Sequence, residues 1–364
     1  MSINQIIIDI MAVFMAIGGI DRITHGKLKL GLSESFEEGF NALGALALSM
    51  LGILSLAPVL AKGMQAVMGP IYGIIGADPA MFAGSILACD MGAYHIALGM
   101  AGSHEAACFS GLILGSMLGT VIVFTIPVGL GLINKEDRPY MAKGILYGIV
   151  TIPIGCLLGG LAAGYDIRFI IINTLPALVF SILIAIGIWR IPNGMIKGFD
   201  ILGKIIISII TFGLVTAVFQ KLTGLTIISG MAPLEDGFKI IGNIAVILAG
   251  AYVMVRVIVR VLNKPLTKAG TLIGVNASSM AGLIASLANA IPMFGIMHEM
   301  NERGKILNGA FAVSGAFIFG DHLAFTASVE PSLIVPVIIA KASAAISAVI
   351  LAILAQSKAS HSAN

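Results

Sequence analysis

Residues 311–327 read FAVSGAFIFGDHLAFTA, an apolar run interrupted near its end by Gly320, Asp321 and His322. Residues 82–97, FAGSILACDMGAYHIA, set Asp90 in a similar run. Apolar stretches approaching 20 residues are the length a helix needs to cross a bilayer core. An aspartate at the centre of such a helix costs about 2.5–3.5 kcal/mol on insertion scales, so acids placed there are functional candidates by default. The structural alternative, a helix end or a polar packing contact, stays open for each acid.

The remainder of the 364-residue chain has the same character. It is 58% hydrophobic and 11% charged, where an average soluble domain carries about 25% charge, and its mean hydropathy is +1.03. The fold class is therefore all-α, a polytopic integral membrane protein. Its 44 glycines suit close helix packing through small residues. The net charge of +3 is spread over loops and implies no nucleic acid. Cys89, Cys108 and Cys156 form no CxxC pair and read as small buried hydrophobes. Cys89, Asp90 and His95 match no established metal spacing, so no metal and no cofactor are expected. The N-terminus lacks a basic leading region and carries Asp9, which fits a first span better than a cleaved signal.

Eleven apolar runs are long enough to be candidate spans: 3–20, 40–60, 82–100, 109–133, 142–164, 167–189, 201–219, 238–262, 272–297, 308–327 and 333–355. The expectation is ten to eleven transmembrane helices. A further stretch, Met64 to Gly76, is too short to span and reads as interfacial or re-entrant. Four short matches recur in the same order along the chain: Arg22-Ile23 with Arg190-Ile191, Gly39–Gly44 with Gly198–Gly203, Ile74–Gly76 with Ile240–Gly242, and Ile126-Pro127 with Ile291-Pro292. They suggest two five-span halves, 1–165 and 166–330, with an extra helix over 331–355 and a polar tail over 356–364. Halves with an odd number of spans must insert in opposite senses, giving an inverted-topology repeat with a site between them. Lys and Arg divide evenly over the loops, so orientation stays open.

Pro127, Pro153 and Pro292 lie inside helical runs, where each removes a backbone hydrogen bond and kinks or breaks the helix. Broken helices line cavities in transporters. A binding site for a small cation fits the inventory. Asp90 and Asp321 supply negative charge, Tyr94, Phe319 and Phe325 offer ring faces to an ammonium, and Asn289 or Asn243 can bond a hydroxyl. His322 titrates near neutral pH and can modulate Asp321 or relay a proton. Glu37 and Glu38 precede the second span, as helix-end acids or as an electronegative vestibule. No GxSxG, HExxH, P-loop or GxGxxG pattern occurs, so an enzyme is not expected.

The chain resembles the EutH family, the ethanolamine permeases of the ethanolamine-utilisation operon. The resemblance rests on FEEGF (36–40), LAPVLA (56–61), MFAGSILACDMG (81–92), SGLILGSMLGTVIVFTIPVGLG (110–131), GIVTIPIGCLLGG (148–160), LANAIPMFGIM (287–297) and GDHLAF (320–325). It implies a multi-pass protein of the bacterial cytoplasmic membrane, surrounded by membrane lipid, that carries ethanolamine by facilitated diffusion or with protons. The sequence leaves an oligomer open. Two alternatives remain: a membrane anchor or assembly factor for ethanolamine utilisation, and an intramembrane enzyme acting on an ethanolamine lipid.

Overall fold

The computed structural model describes residues 2–25 and 27–361; residues 362–364 of the expected polar tail lie outside them. Every element among the described residues is helical. In chain order these are α1 (Ile3–Ile23), α2 (Ser33–Ile75), the short α3 (Met81–Ile86) and α4 (Ala93–Met100), then α5 (His104–Leu132), α6 (Lys135–Ala162), α7 (Ile167–Arg190) and α8 (Pro192–Thr223). There follow α9 (Leu234–Leu272), the short α10 (Ala277–Ser286) and α11 (Ile291–Gly295), α12 (Glu302–Gly315), α13 (Asp321–Val329) and α14 (Ile334–His361). Eight helices among the described residues are long and apolar enough to cross a membrane. Their outer faces expose large apolar side chains such as Leu48, Val179, Phe212 and Leu354, as lipid-facing helices do.

Eight of the eleven expected runs are thus long helices, and 82–100, 272–297 and 308–327 are not. Hydropathy reports composition, not direction, and each of these runs carries a helix breaker in its middle. Gly92 sits at φ +100, a left-handed conformation that favours glycine, and turns the chain between α3 and α4. Asp78 then accepts the Gly102 N–H at 2.8 Å, so the segment leaves the bundle at the end by which it entered. The 276–301 segment is tied likewise: the Asn276 side-chain amide donates to the Glu299 carbonyl (2.8 Å). Five long helices separate the two hairpins, which therefore enter from opposite ends of the bundle.

The third interrupted run is one crossing in two pieces, α12 and α13, joined by a turn at 316–320 in which the Gly320 N–H donates to the Phe317 carbonyl at 3.1 Å. The link docks on the second hairpin: Phe317 N–H donates to the Ser286 carbonyl and Phe319 N–H to that of Leu287, both at 2.9 Å. A side chain on Gly320 would run into the Ala288 carbonyl, so only glycine permits this approach.

Two local expectations are corrected. Met64 to Gly76 is no separate segment; it continues α2, a single 43-residue helix that ends on left-handed Gly76. Pro127 does not break its helix: α5 runs on through it in wide π-helical turns over Val121–Gly129, a local distortion of the kind that accompanies kinks. Pro153 and Pro292 do mark restarts: Pro153 follows a turn at Val150-Thr151 within α6, and Pro292 opens α11.

Close contacts recur along the chain with a different offset from that of the short sequence matches. Gly39 abuts Ala249 while Gly237 abuts Leu51, and 237 − 39 and 249 − 51 are both 198. The contacts thus pair Gly39 with Gly237, where the sequence matches pair it with Gly198. Gly84 packs on Ser110 and Gly282 on Asn308, with the same offset on each side. It also relates the helix caps Ser103 and Asn301 and the hairpin ties Asp78 and Asn276.

Candidate functional site

The tips of both hairpins and the 316–320 link border one cavity of about 530 Å³. From the first hairpin come Ala88, Asp90 and Met91, and from the second Asn289 and Ile291. Phe317, Asp321 and His322 line it from the broken crossing, Glu38 and Asn41 from α2, Thr120 and Phe124 from α5, and Tyr252 from α9. A helix tip interrupted inside the bundle presents side chains and backbone ends that an unbroken helix would turn away, which is why the polar residues gather there.

Three acids, Glu38, Asp90 and Asp321, face this space. Asp321 accepts a hydrogen bond from the Tyr252 hydroxyl at 2.9 Å. Behind the wall lies Lys341 of α14, 1% exposed, donating to the Ser116 carbonyl (2.6 Å) and standing 3.1 Å from His322 Nδ1. When Lys341 is an ammonium, which has only donors, Nδ1 accepts from it and the imidazole proton sits on Nε2. That nitrogen faces Thr120 Oγ1 at 3.5 Å and Asp90 Oδ1 at 3.8 Å. Lys341, His322 and Asp90 therefore form a series running from the protein interior to the cavity. Phe124 and Phe317 meet edge to face with centroids 5.1 Å apart and give the cavity an aromatic wall.

Asp90, Asp321, His322 and Asn289 are brought together as lining residues, and Glu38 joins them. Asn289 uses its side-chain oxygen to accept the Ile291 N–H (2.9 Å), leaving its amide nitrogen available. Glu37, one residue away, turns outward and pairs with Arg22 at 2.7 Å. Tyr94 and Phe325 are absent from the lining and pack edge to face on each other and on His95. Phe319 packs with the cluster around Met11 and Leu323, and Asn243 lies elsewhere on α9. Tyr252, Thr120, Phe124, Phe317 and Lys341 escaped the sequence reading. Lys341 carried a usable signal, a lone cation inside an apolar run.

Eight long apolar helices around a polar, acid-lined cavity built from interrupted segments define a multi-pass membrane protein with an internal site. The chain belongs to the EutH family: the model for "Ethanolamine utilisation protein, EutH" matches residues 3–355. It is 53% identical over 353 residues to a probable ethanolamine permease EutH of Listeria monocytogenes, covering 97% of this chain and 94% of that one. The corresponding Salmonella typhimurium protein is 44% identical over 390 residues, covering 97% and 96%. An uncharacterised Bacillus subtilis protein, YxeR, is 45% identical over 348 residues, covering 96% and 94%. No solved structure matches. The chain is thus a multi-pass bacterial membrane protein of this family.

Proposed function

We propose that this protein is a transporter, not an enzyme, and that it carries ethanolamine across the bacterial cytoplasmic membrane through the cavity between the two hairpin tips. The observation that carries the reading is the convergence of Glu38, Asp90, Asp321 and Asn289 on one space walled by Phe124 and Phe317. Ethanolamine, like the lysine side chain, is an ammonium at neutral pH and carries one hydroxyl. Acids and ring faces suit the ammonium, and the Asn289 amide suits the hydroxyl. The cavity falls in the size range of small-molecule sites and leaves room for water beside so small a ligand.

The recurrence of contacts at one common offset supports an inverted repeat pairing α2 with α9 and one hairpin with the other. In such a fold each hairpin closes the cavity toward its own end, and transport alternates between them. The Lys341–His322–Asp90 series favours a proton-coupled form over simple diffusion, since it links a buried amine to the cavity acids.

Uptake of labelled ethanolamine into proteoliposomes at about pH 6 tests the proposal, because at that pH the membrane-permeant neutral amine is scarce. Wild type is expected to exceed empty vesicles, and a folded Asp321→Asn variant to fall to their level. Equal uptake by both proteins would remove Asp321 from the site. Folded wild type with no uptake would turn the reading toward the anchor or the lipid enzyme. An imposed pH gradient separates the two transport modes: accumulation above equilibrium requires coupling.

A further inference from the structure

A second group of chemically competent side chains lies well away from the acid-lined cavity, at the end of the bundle where α5 begins. His104 and Cys108 stand four residues apart on the first turns of α5, which puts them on one helix face. Glu330, just beyond α13, reaches the same point. His104 Nε2 lies 3.0 Å from Glu330 Oε2 and 3.4 Å from Cys108 Sγ, and all three atoms fall within 4.8 Å of one another. A pocket of about 460 Å³, to which Asn4, Tyr165 and Ser332 also contribute, opens onto them.

One imidazole nitrogen holds either a proton, which the carboxylate and the sulfur would have to share, or a lone pair, which leaves the carboxylate without a donor from it. A cation at the centre of the triangle satisfies all three. Around tetrahedral zinc, with bonds of about 2.0–2.3 Å, neighbouring ligand atoms stand about 3.3–3.6 Å apart. The two separations here need little adjustment to meet that. The sulfur is buried and the histidine is open to solvent, which leaves an entry path and an open coordination position toward the pocket. The other His/Cys/Asp group, Cys89, Asp90 and His322, already has the Lys341 side-chain nitrogen 3.1 Å from its imidazole, and that lysine opposes a cation whenever it is protonated.

We infer that His104, Cys108 and Glu330 form a binding site for a borderline-soft divalent cation of the Zn²⁺ type, with the fourth position open to the pocket. The cation ties the first turn of α5 to the end of α13, whose other end carries Asp321. Occupancy therefore adds a link between α5 and the piece of the broken crossing that lines the cavity.

The test is equilibrium dialysis of the purified full-length protein against micromolar Zn²⁺ with elemental analysis, repeated with Co²⁺ for its thiolate charge-transfer absorption. One Zn²⁺ per chain is expected, with the Co²⁺ thiolate band. His104→Ala and Cys108→Ser should each lose stoichiometric binding. Glu330→Gln should weaken it at least about tenfold, since even partners that only support a ligand are worth that much. Wild type without stoichiometric Zn²⁺, stoichiometric binding that persists in His104→Ala, or an affinity unchanged in Glu330→Gln overturns the site. His104 is open to solvent and Glu330 only partly buried, so these two variants keep the test decisive should Cys108→Ser fail to fold. The binding readout does not involve ethanolamine, so its failure and that of the transport proposal are separable.

Discussion

The most searching perturbation is the removal of charge from both ends of the Lys341–His322–Asp90 series, singly and together. Lys341→Met keeps an unbranched side chain one atom shorter and deletes its terminal nitrogen, stranding the Ser116 carbonyl and His322 Nδ1. Breaking one member of a buried charged network costs about 3–5 kcal/mol, a large part of a typical total stability of about 5–15 kcal/mol. The path from Nζ across the imidazole to the Asp90 carboxylate is at most about 9 Å, and at an effective dielectric constant of about 20 two unit charges at that separation attract by about 2 kcal/mol. Asp90→Asn in the Lys341→Met background should therefore cost less than it does alone, by up to about 2 kcal/mol where both groups carry full charge. Denaturant unfolding of the four proteins in one detergent measures that coupling. A coupling below about 0.5 kcal/mol, the scatter found between independent sites, would mean that the two charges do not sense each other. The relay to the cavity would fall with it.

Four further outcomes are expected. Tyr252→Phe removes the hydroxyl bonded to Asp321 and should change the KM for ethanolamine several-fold, about 1 kcal/mol, with the fold intact; an unchanged KM would separate Asp321 from the substrate. Gly320→Ala forces a methyl group against the Ala288 carbonyl and should destabilise by about 1–3 kcal/mol, while Gly295→Ala, with open space around it, should be near neutral by thermal unfolding. Glu38→Gln should impair uptake, whereas Glu37→Gln breaks only an exposed pair with Arg22 worth about 0–1 kcal/mol and should leave uptake alone. Phe317→Leu should raise the KM for ethanolamine about three- to fivefold through loss of a ring face, with uptake at saturation retained.

Much of the architecture could be read from the chain because lipid imposes a simple composition on whatever faces it. Eleven runs stood out on that basis alone, and eight of them are long helices among the described residues. The three interrupted runs have the same composition, and only Gly92, Pro292 and Gly320 betrayed the turns inside them. Asp90, Asn289, Asp321 and His322 were visible because polarity is conspicuous in an apolar run, and all four sit at the interruptions. Tyr252 and Phe124 could not be picked out, since an aromatic residue in a membrane helix looks alike whether it faces a cavity, lipid or a neighbour. Tyr94 and Phe325 show the converse: nearness in sequence to Asp90 and Asp321 did not bring their rings to the cavity. The repeat spacing was hard to find for a related reason. Short apolar matches arise readily by chance, whereas reciprocal contacts such as Gly39 on Ala249 and Gly237 on Leu51 exist only in three dimensions.

The length of α2 bears on the surrounding lipid. At about 1.5 Å per residue its 43 residues reach about 65 Å, roughly twice the thickness of a hydrocarbon core. Its far end still exposes Val67, Ile71, Ile74 and Ile75, so the overhang is greasy where headgroups begin. Such a mismatch is met by tilt, by bending at Pro58 or Pro70, or by a locally thickened leaflet, at fractions of a kcal/mol per Å. The same helix carries Glu38 into the cavity, so the helix that meets this mismatch is also part of the cavity wall.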